Sequence, residues 1–112
     1  MSNKEILEKA NAEISRGNYE EFLTFCTEDT TWIFVGEQTL HGKEEVRQYM
    51  EATYVEPPKF TGERFIEEGD SLAVIGKISL KNKEGEEMEY SYCDVWRFRD
   101  GKLADLQAFV VE

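Results

Sequence analysis

The chain has 112 residues, 40% hydrophobic and 12% aromatic, which suits one domain with one core and excludes both a second domain and a disordered chain. Twenty-four acidic residues against thirteen basic ones leave a net charge of −11, which repels polyanions and argues against nucleic acid or an anionic membrane as a partner. No apolar run approaches the roughly 20 residues that span a bilayer, and Met1-Ser2-Asn3-Lys4-Glu5 lacks the charged-then-apolar layout of a secretion signal, so the expected location is cytoplasmic.

Ser2 followed by Glu5 forms a capping box, and Ile6, Leu7, Ala10 and Ile14 recur at helical spacing up to Gly17, which predicts a first helix. Asn18 and Glu21 repeat the arrangement ahead of Tyr19, Phe22, Leu23 and Cys26, predicting a second, shorter helix that includes Cys26. Thr30-Thr31-Trp32-Ile33-Phe34-Val35 is β-branched and aromatic and predicts a short strand, with a loop over 36–41 behind it. A third helix is expected from Gly42, with Glu44 and Glu45 in its first turn and a stripe of Val46, Tyr49, Met50 and Thr53; Pro57-Pro58 then forces an extended exit.

From Lys59 the period changes. Extended stretches near 59–68, 71–81, 86–99 and 102–111 are separated by turn-forming runs, of which Asp100-Gly101 is the strongest. Links this short join antiparallel neighbours. The back half is therefore a four-stranded meander, and the whole is an α+β domain in which helices pack on a curved antiparallel sheet.

The third of these strands separates sharply by parity, because alternate side chains point to opposite faces. One row is Met88, Tyr90, Tyr92, Asp94, Trp96 and Phe98; the other is Glu87, Glu89, Ser91, Cys93, Val95, Arg97 and Arg99. Asp94 alone conflicts with its row. A carboxylate among aromatic rings must lose its charge or find a partner. Two readings follow: a functional acid able to donate a hydrogen bond to an oxyanion, or a structural Asp bonded to a tyrosine hydroxyl or a backbone amide.

The order helix, helix, strand, helix, meander resembles the nuclear-transport-factor-2-like superfamily, in particular its SnoaL-like and ketosteroid isomerase-like members. The resemblance is carried by Glu28-Asp29-Thr30-Thr31-Trp32, by Leu40-His41-Gly42-Lys43-Glu44-Glu45-Val46, and by Asp94-Val95-Trp96-Arg97-Phe98 with Asp100-Gly101-Lys102-Leu103 and the closing Leu106-Gln107-Ala108-Phe109. It implies a cone-shaped, curved antiparallel sheet of roughly five strands with three helices from the first half of the chain, and commonly a homodimer through the sheet. It also implies that Asp94 matches the isomerase acid that stays protonated in the oxyanion hole, a known case in those enzymes. The isomerase base falls at Ile33 or Phe34, neither of which takes a proton, and the oxyanion tyrosine falls near Lys9. The acid late in the last strand of the cyclases corresponds to Gln107-Ala108, and the Arg with two Asp residues of the related epoxide hydrolases is not visible.

His41 is the remaining candidate base, should the 36–41 loop fold over the pocket mouth, or else a simple lead into the third helix. Trp32, Phe34, Tyr49, Met50, Tyr54, Tyr90, Tyr92 and Trp96 are the expected pocket lining, with core or dimer packing as the alternative for the tyrosines. Cys26 and Cys93 are too few for a disulfide framework and read as structural thiols, and one histidine cannot build a zinc site. Glu84, Glu86, Glu87 and Glu89 read as a solvated face. No metal or cofactor is expected. The sequence thus points to a domain that binds a small apolar or amphipathic molecule, with enzymatic activity open and enol chemistry the reaction class if there is one. The alternative is a non-catalytic homodimeric interaction module whose cavity is filled by its own side chains.

Overall fold

The computed structural model describes residues 1–112. Helix α1 (Asn3–Ser15) starts on the expected capping box: the Glu5 amide donates to Ser2 Oγ at 3.2 Å and the Ser2 amide donates to Glu5 Oε1 at 3.1 Å. Two donors that a helix start leaves unpaired are thereby satisfied. Ile6, Leu7, Ala10 and Ile14 form its buried stripe.

Helix α2 (Tyr19–Leu23) is shorter than its spacing predicts. The amides of Thr24 and Phe25 donate to the carbonyls of Glu21 and Phe22, which tightens the last turn, and the Phe25 carbonyl accepts from the Leu103 amide at 2.9 Å. The chain is thus drawn into the sheet, and Cys26 opens strand β1 (Cys26–Phe34) instead of continuing the helix. Cys26 is buried in either reading, which is why helical spacing mistook it. β1 bulges between Cys26 and Thr31, and the fully buried Thr30 hydroxyl lies 3.1 Å from the Leu103 and Ala104 carbonyls to which it donates.

The stretch 36–41 is not a loop. A tight turn at Gly36 leads into strand β2 (Gln38–His41), antiparallel to β1 from Phe34↔Gln38 to Thr31↔His41. Only Leu40 of its four residues is buried, so the local pattern carries no alternation. The strand forms because the edge of β1 offers it a ladder.

Helix α3 (Gly42–Thr53) and strands β3 (Lys59–Glu68), β4 (Ser71–Lys81), β5 (Glu87–Arg99) and β6 (Lys102–Val111) lie where the sequence put them. Arg99 and Lys102 pair across Asp100 and Gly101, whose φ angles are 53° and 74°. Two consecutive positive φ values make the two-residue hairpin that matches strand twist.

The sheet order is β2-β1-β6-β5-β4-β3. Strands β3 to β6 form the expected meander, while β1 joins β6 in parallel. The sheet therefore has six strands and one parallel seam, whose partners are separated by the long connection that parallel pairing requires. Helix α1 packs on α2 and β3, and α3 packs on β1, β2 and α2. Between helices and sheet lies one core containing Leu7, Ile14, Phe22, Val46, Met50, Trp32, Leu72, Trp96 and Leu103. No helix is long and apolar enough to cross a membrane.

Candidate functional site

Asp94 is paired across the sheet with Val74 on β4 and Ala108 on β6. Both side chains are short, so the strands on either side leave room beside the carboxyl, while Tyr92 and Trp96 flank it along β5. In front of this row the helices stand off the sheet and enclose a cavity of about 370 Å³. That is within the range of sites that hold small molecules.

Eight of the ten residues singled out by sequence line this cavity: Trp32, Phe34, Tyr49, Tyr54, Tyr90, Tyr92, Asp94 and Trp96. Met50 does not, being fully buried in the core cluster. His41 does not either. It is an exposed residue at the start of α3 whose amide donates to Glu45 Oε1 at 2.7 Å, and β2 pins it to the β1 edge, so it is no base for this cavity. Phe34 is on the wall and Ile33 is on the opposite face, while α1 presents Asn11 and Ile14 rather than Lys9.

Sequence reasoning missed Asn11, Ile14, Phe22, Glu37, Thr53, Phe60, Ile78 and Leu80, and the β6 row Leu106, Ala108 and Val110 with Glu112 just beyond the strand. That row follows from the same parity that sorted β5. Glu37 could not be found this way, since it sits in the turn between β1 and β2, whose pairing the local sequence hides.

Burial raises the Asp94 carboxyl from 3.8 to about 7, and no hydrogen bond or ion partner offsets that rise. The residue keeps partial exposure because its carboxyl faces the cavity and not packed atoms. Burial also pushes up the hydroxyl of Tyr92 to about 12 and raises those of Tyr49 and Tyr54; Asp94 adds to the effect on Tyr54 and Tyr92, and Glu37 to that on Tyr49. The rings meet at steep angles: Trp32 and Trp96 at 6.1 Å and 84°, Tyr49 and Tyr54 at 6.1 Å and 79°, Phe60 and Tyr92 at 6.2 Å and 85°. The Trp32 indole N–H is buried without a hydrogen-bond partner. Cys26 plays no part in this chemistry: burial pushes its thiol up to about 12, which leaves it protonated and inert.

A two-layer α+β roll of this topology defines a class of fold, and comparison with known proteins agrees with it. The model of the SnoaL-like domain matches residues 7–106. The chain belongs to the SnoaL-like domain family, within the nuclear-transport-factor-2-like fold. No curated protein matches it in sequence. Among solved structures it is similar to an NTF2-like protein of unknown function from Burkholderia pseudomallei, with a TM-score of 0.85, 21% identity, and coverage of 96% of this chain and 90% of that one. It is also similar to the epoxide hydrolase/cyclase-like enzyme SalBIII of pyran ring formation in salinomycin, at 0.87, 19%, 96% and 89%. TerC, crystallised with polyporic acid, follows at 0.81, 19%, 95% and 88%. Identities this low speak to the fold alone.

Proposed function

We propose that this protein binds a small, flat, largely apolar molecule in the cavity, with Asp94 as its polar anchor. The observation that carries the reading is an acid without a protein partner, held near neutrality by burial, beside about 370 Å³ of open volume. An acid kept neutral can donate to a ligand oxygen. An interaction module with a self-filled interior accounts for neither the volume nor the unpartnered acid.

The arrangement favours reactions passing through an enol or enolate, such as isomerisation, cyclisation or dehydration, because a neutral acid stabilises a developing oxyanion. The base in such a reaction would be Glu37 or Glu112, the other carboxyls of the wall, and not His41.

A thermal-shift screen of flat compounds carrying one polar group tests the reading. Compounds that fill the cavity raise the melting temperature of the natural chain, by an increment that grows with concentration. Asp94→Asn keeps the fold and weakens binding about tenfold, the worth of one hydrogen bond. Unchanged affinity in that variant removes Asp94 from the site, and a screen without hits removes the ligand.

The reading includes a homodimer, supported by the outer face of the sheet. There Ile75, Cys93 and Phe109 lie side by side across β4, β5 and β6, next to the rung Ala73–Val95 and to Ile66 of β3. Ile66, Ile75 and Phe109 are 47%, 41% and 43% exposed, apolar side chains on one face that a second copy could cover.

A further inference from the structure

We propose that the molecule taken up by this cavity carries a cationic nitrogen, a protonated amine or quaternary ammonium, on its apolar body. The proposal rests on the ligand-binding reading above and names the class of ligand. Three of the twenty residues on the cavity wall bear carboxyls, Asp94 within and Glu37 and Glu112 at the exposed rim; none is Lys, Arg or His.

The general acidity of the chain does not account for this distribution, because thirteen cations are available to it. None of them lines the cavity, and seven form ion pairs elsewhere. Arg47 binds Glu20 and Glu44, Lys43 binds Glu28, Lys81 binds Glu56, Arg97 binds Asp105 and Arg99 binds Asp29. The ion pairs of the fold involve none of the three cavity carboxyls. Negative potential is therefore concentrated where low-dielectric walls focus it. The cavity tyrosines feel it: beyond the effect of burial, Asp94 acts on Tyr54 and Tyr92, and Glu37 acts on Tyr49.

The remaining walls suit the same ligand. Trp32, Trp96, Tyr49 and Tyr54 all lie on the wall, the two tryptophans and the two tyrosines each meeting at close to right angles. The face of an aromatic ring is its negative side, and several faces around one space attract a cation with an apolar shell. A carboxylate or phosphate would meet the two rim carboxylates and no counter-charge, whereas a cation is matched by Asp94 once that acid gives up its proton. A neutral molecule would gain from burial and from one hydrogen bond to Asp94, but not from the charge of the rim.

Both tryptophans of the chain line the cavity, so their intrinsic fluorescence reports its occupancy. Three probes of matched shape separate the charge states: trimethyl(2-phenylethyl)ammonium, its neutral isostere (3,3-dimethylbutyl)benzene, and the anion 3-phenylpropanoate. The cation binds at least about tenfold tighter than the isostere, the anion does not saturate, and the cation's advantage shrinks severalfold in Asp94→Asn and further when Glu37→Gln and Glu112→Gln are added. An isostere that binds as tightly as the cation overturns the proposal and leaves the ligand-binding reading standing. Failure of all three probes overturns both. A cation preference that survives intact in the folded triple variant shows that these carboxyls do not set it, and overturns the assignment. Comparison of the probes on the natural chain decides the question even where the triple variant does not fold.

Discussion

Asp94 couples the cavity to the stability of the chain. Burial makes the folded protein hold the Asp94 proton more tightly than the unfolded chain does, near pH 7 instead of 3.8. The sign follows from linkage: the folded state binds the extra proton between those two values, so this contribution is complete below the lower one and is lost as pH rises through the upper one. It amounts to at most about 2.5 kcal/mol between pH 5 and pH 8, less to the extent that cavity water solvates the charge. Urea titrations at those two pH values should show the natural chain losing stability relative to Asp94→Asn. Parallel behaviour of the two proteins would mean that the acid ionises at its ordinary pH.

At the scale of elements, the edge of the sheet beyond Asp94 depends on one close approach. A Cβ on Gly76 of β4 would lie 2.2 Å from the backbone carbonyl oxygen of Thr61 on β3 and 3.0 Å from the Tyr92 hydroxyl. The first of these atoms belongs to the ladder and cannot turn aside. Gly62, at the bulge of β3, differs: its Cβ would meet the Phe65 ring at 2.5 Å, and a side chain can rotate away. Gly76→Ala is expected to cost about 3 kcal/mol or more in a chemical denaturation experiment, and Gly62→Ala about 1 kcal/mol. Equal costs would show that β3 is held loosely enough to move. Because Tyr92 and Phe60 also line the cavity, the first substitution should weaken ligand binding as well.

At the scale of the molecule, the sheet has two faces with different tasks. Its inner face carries the cavity, and its outer face carries Ile66, Ile75 and Phe109. Light scattering coupled to size exclusion should therefore give twice the 13.0 kDa chain mass, and Ile75→Lys with Phe109→Lys should give the chain mass with the fold and cavity binding retained. A natural chain that elutes as a monomer at micromolar concentration would count against the dimer. Separation of the two faces also makes the tests independent, since disrupting association leaves Asp94 and the rings around it untouched.

Local chemistry by itself determined much of this protein. The Ser2–Glu5 cap, the stripe of α1, the Asp100-Gly101 turn and the parity of β5 each follow from neighbours within a few residues, and the β5 parity put Asp94 and three cavity aromatics, Tyr90, Tyr92 and Trp96, within reach of a sequence reading. Tertiary structure decided what depends on partners distant in the chain. The β1 edge made a strand of Gln38–His41 and so carried His41 away from the cavity and brought Glu37 to its wall; the Leu103 backbone turned Cys26 from helix to strand; and the short Ala108 beside Asp94 left the space in which a ligand can sit. The physical reason is the same in each case: periodicity records which side of an element is buried, whereas a pairing edge or an unfilled volume exists only once elements far apart in sequence have met.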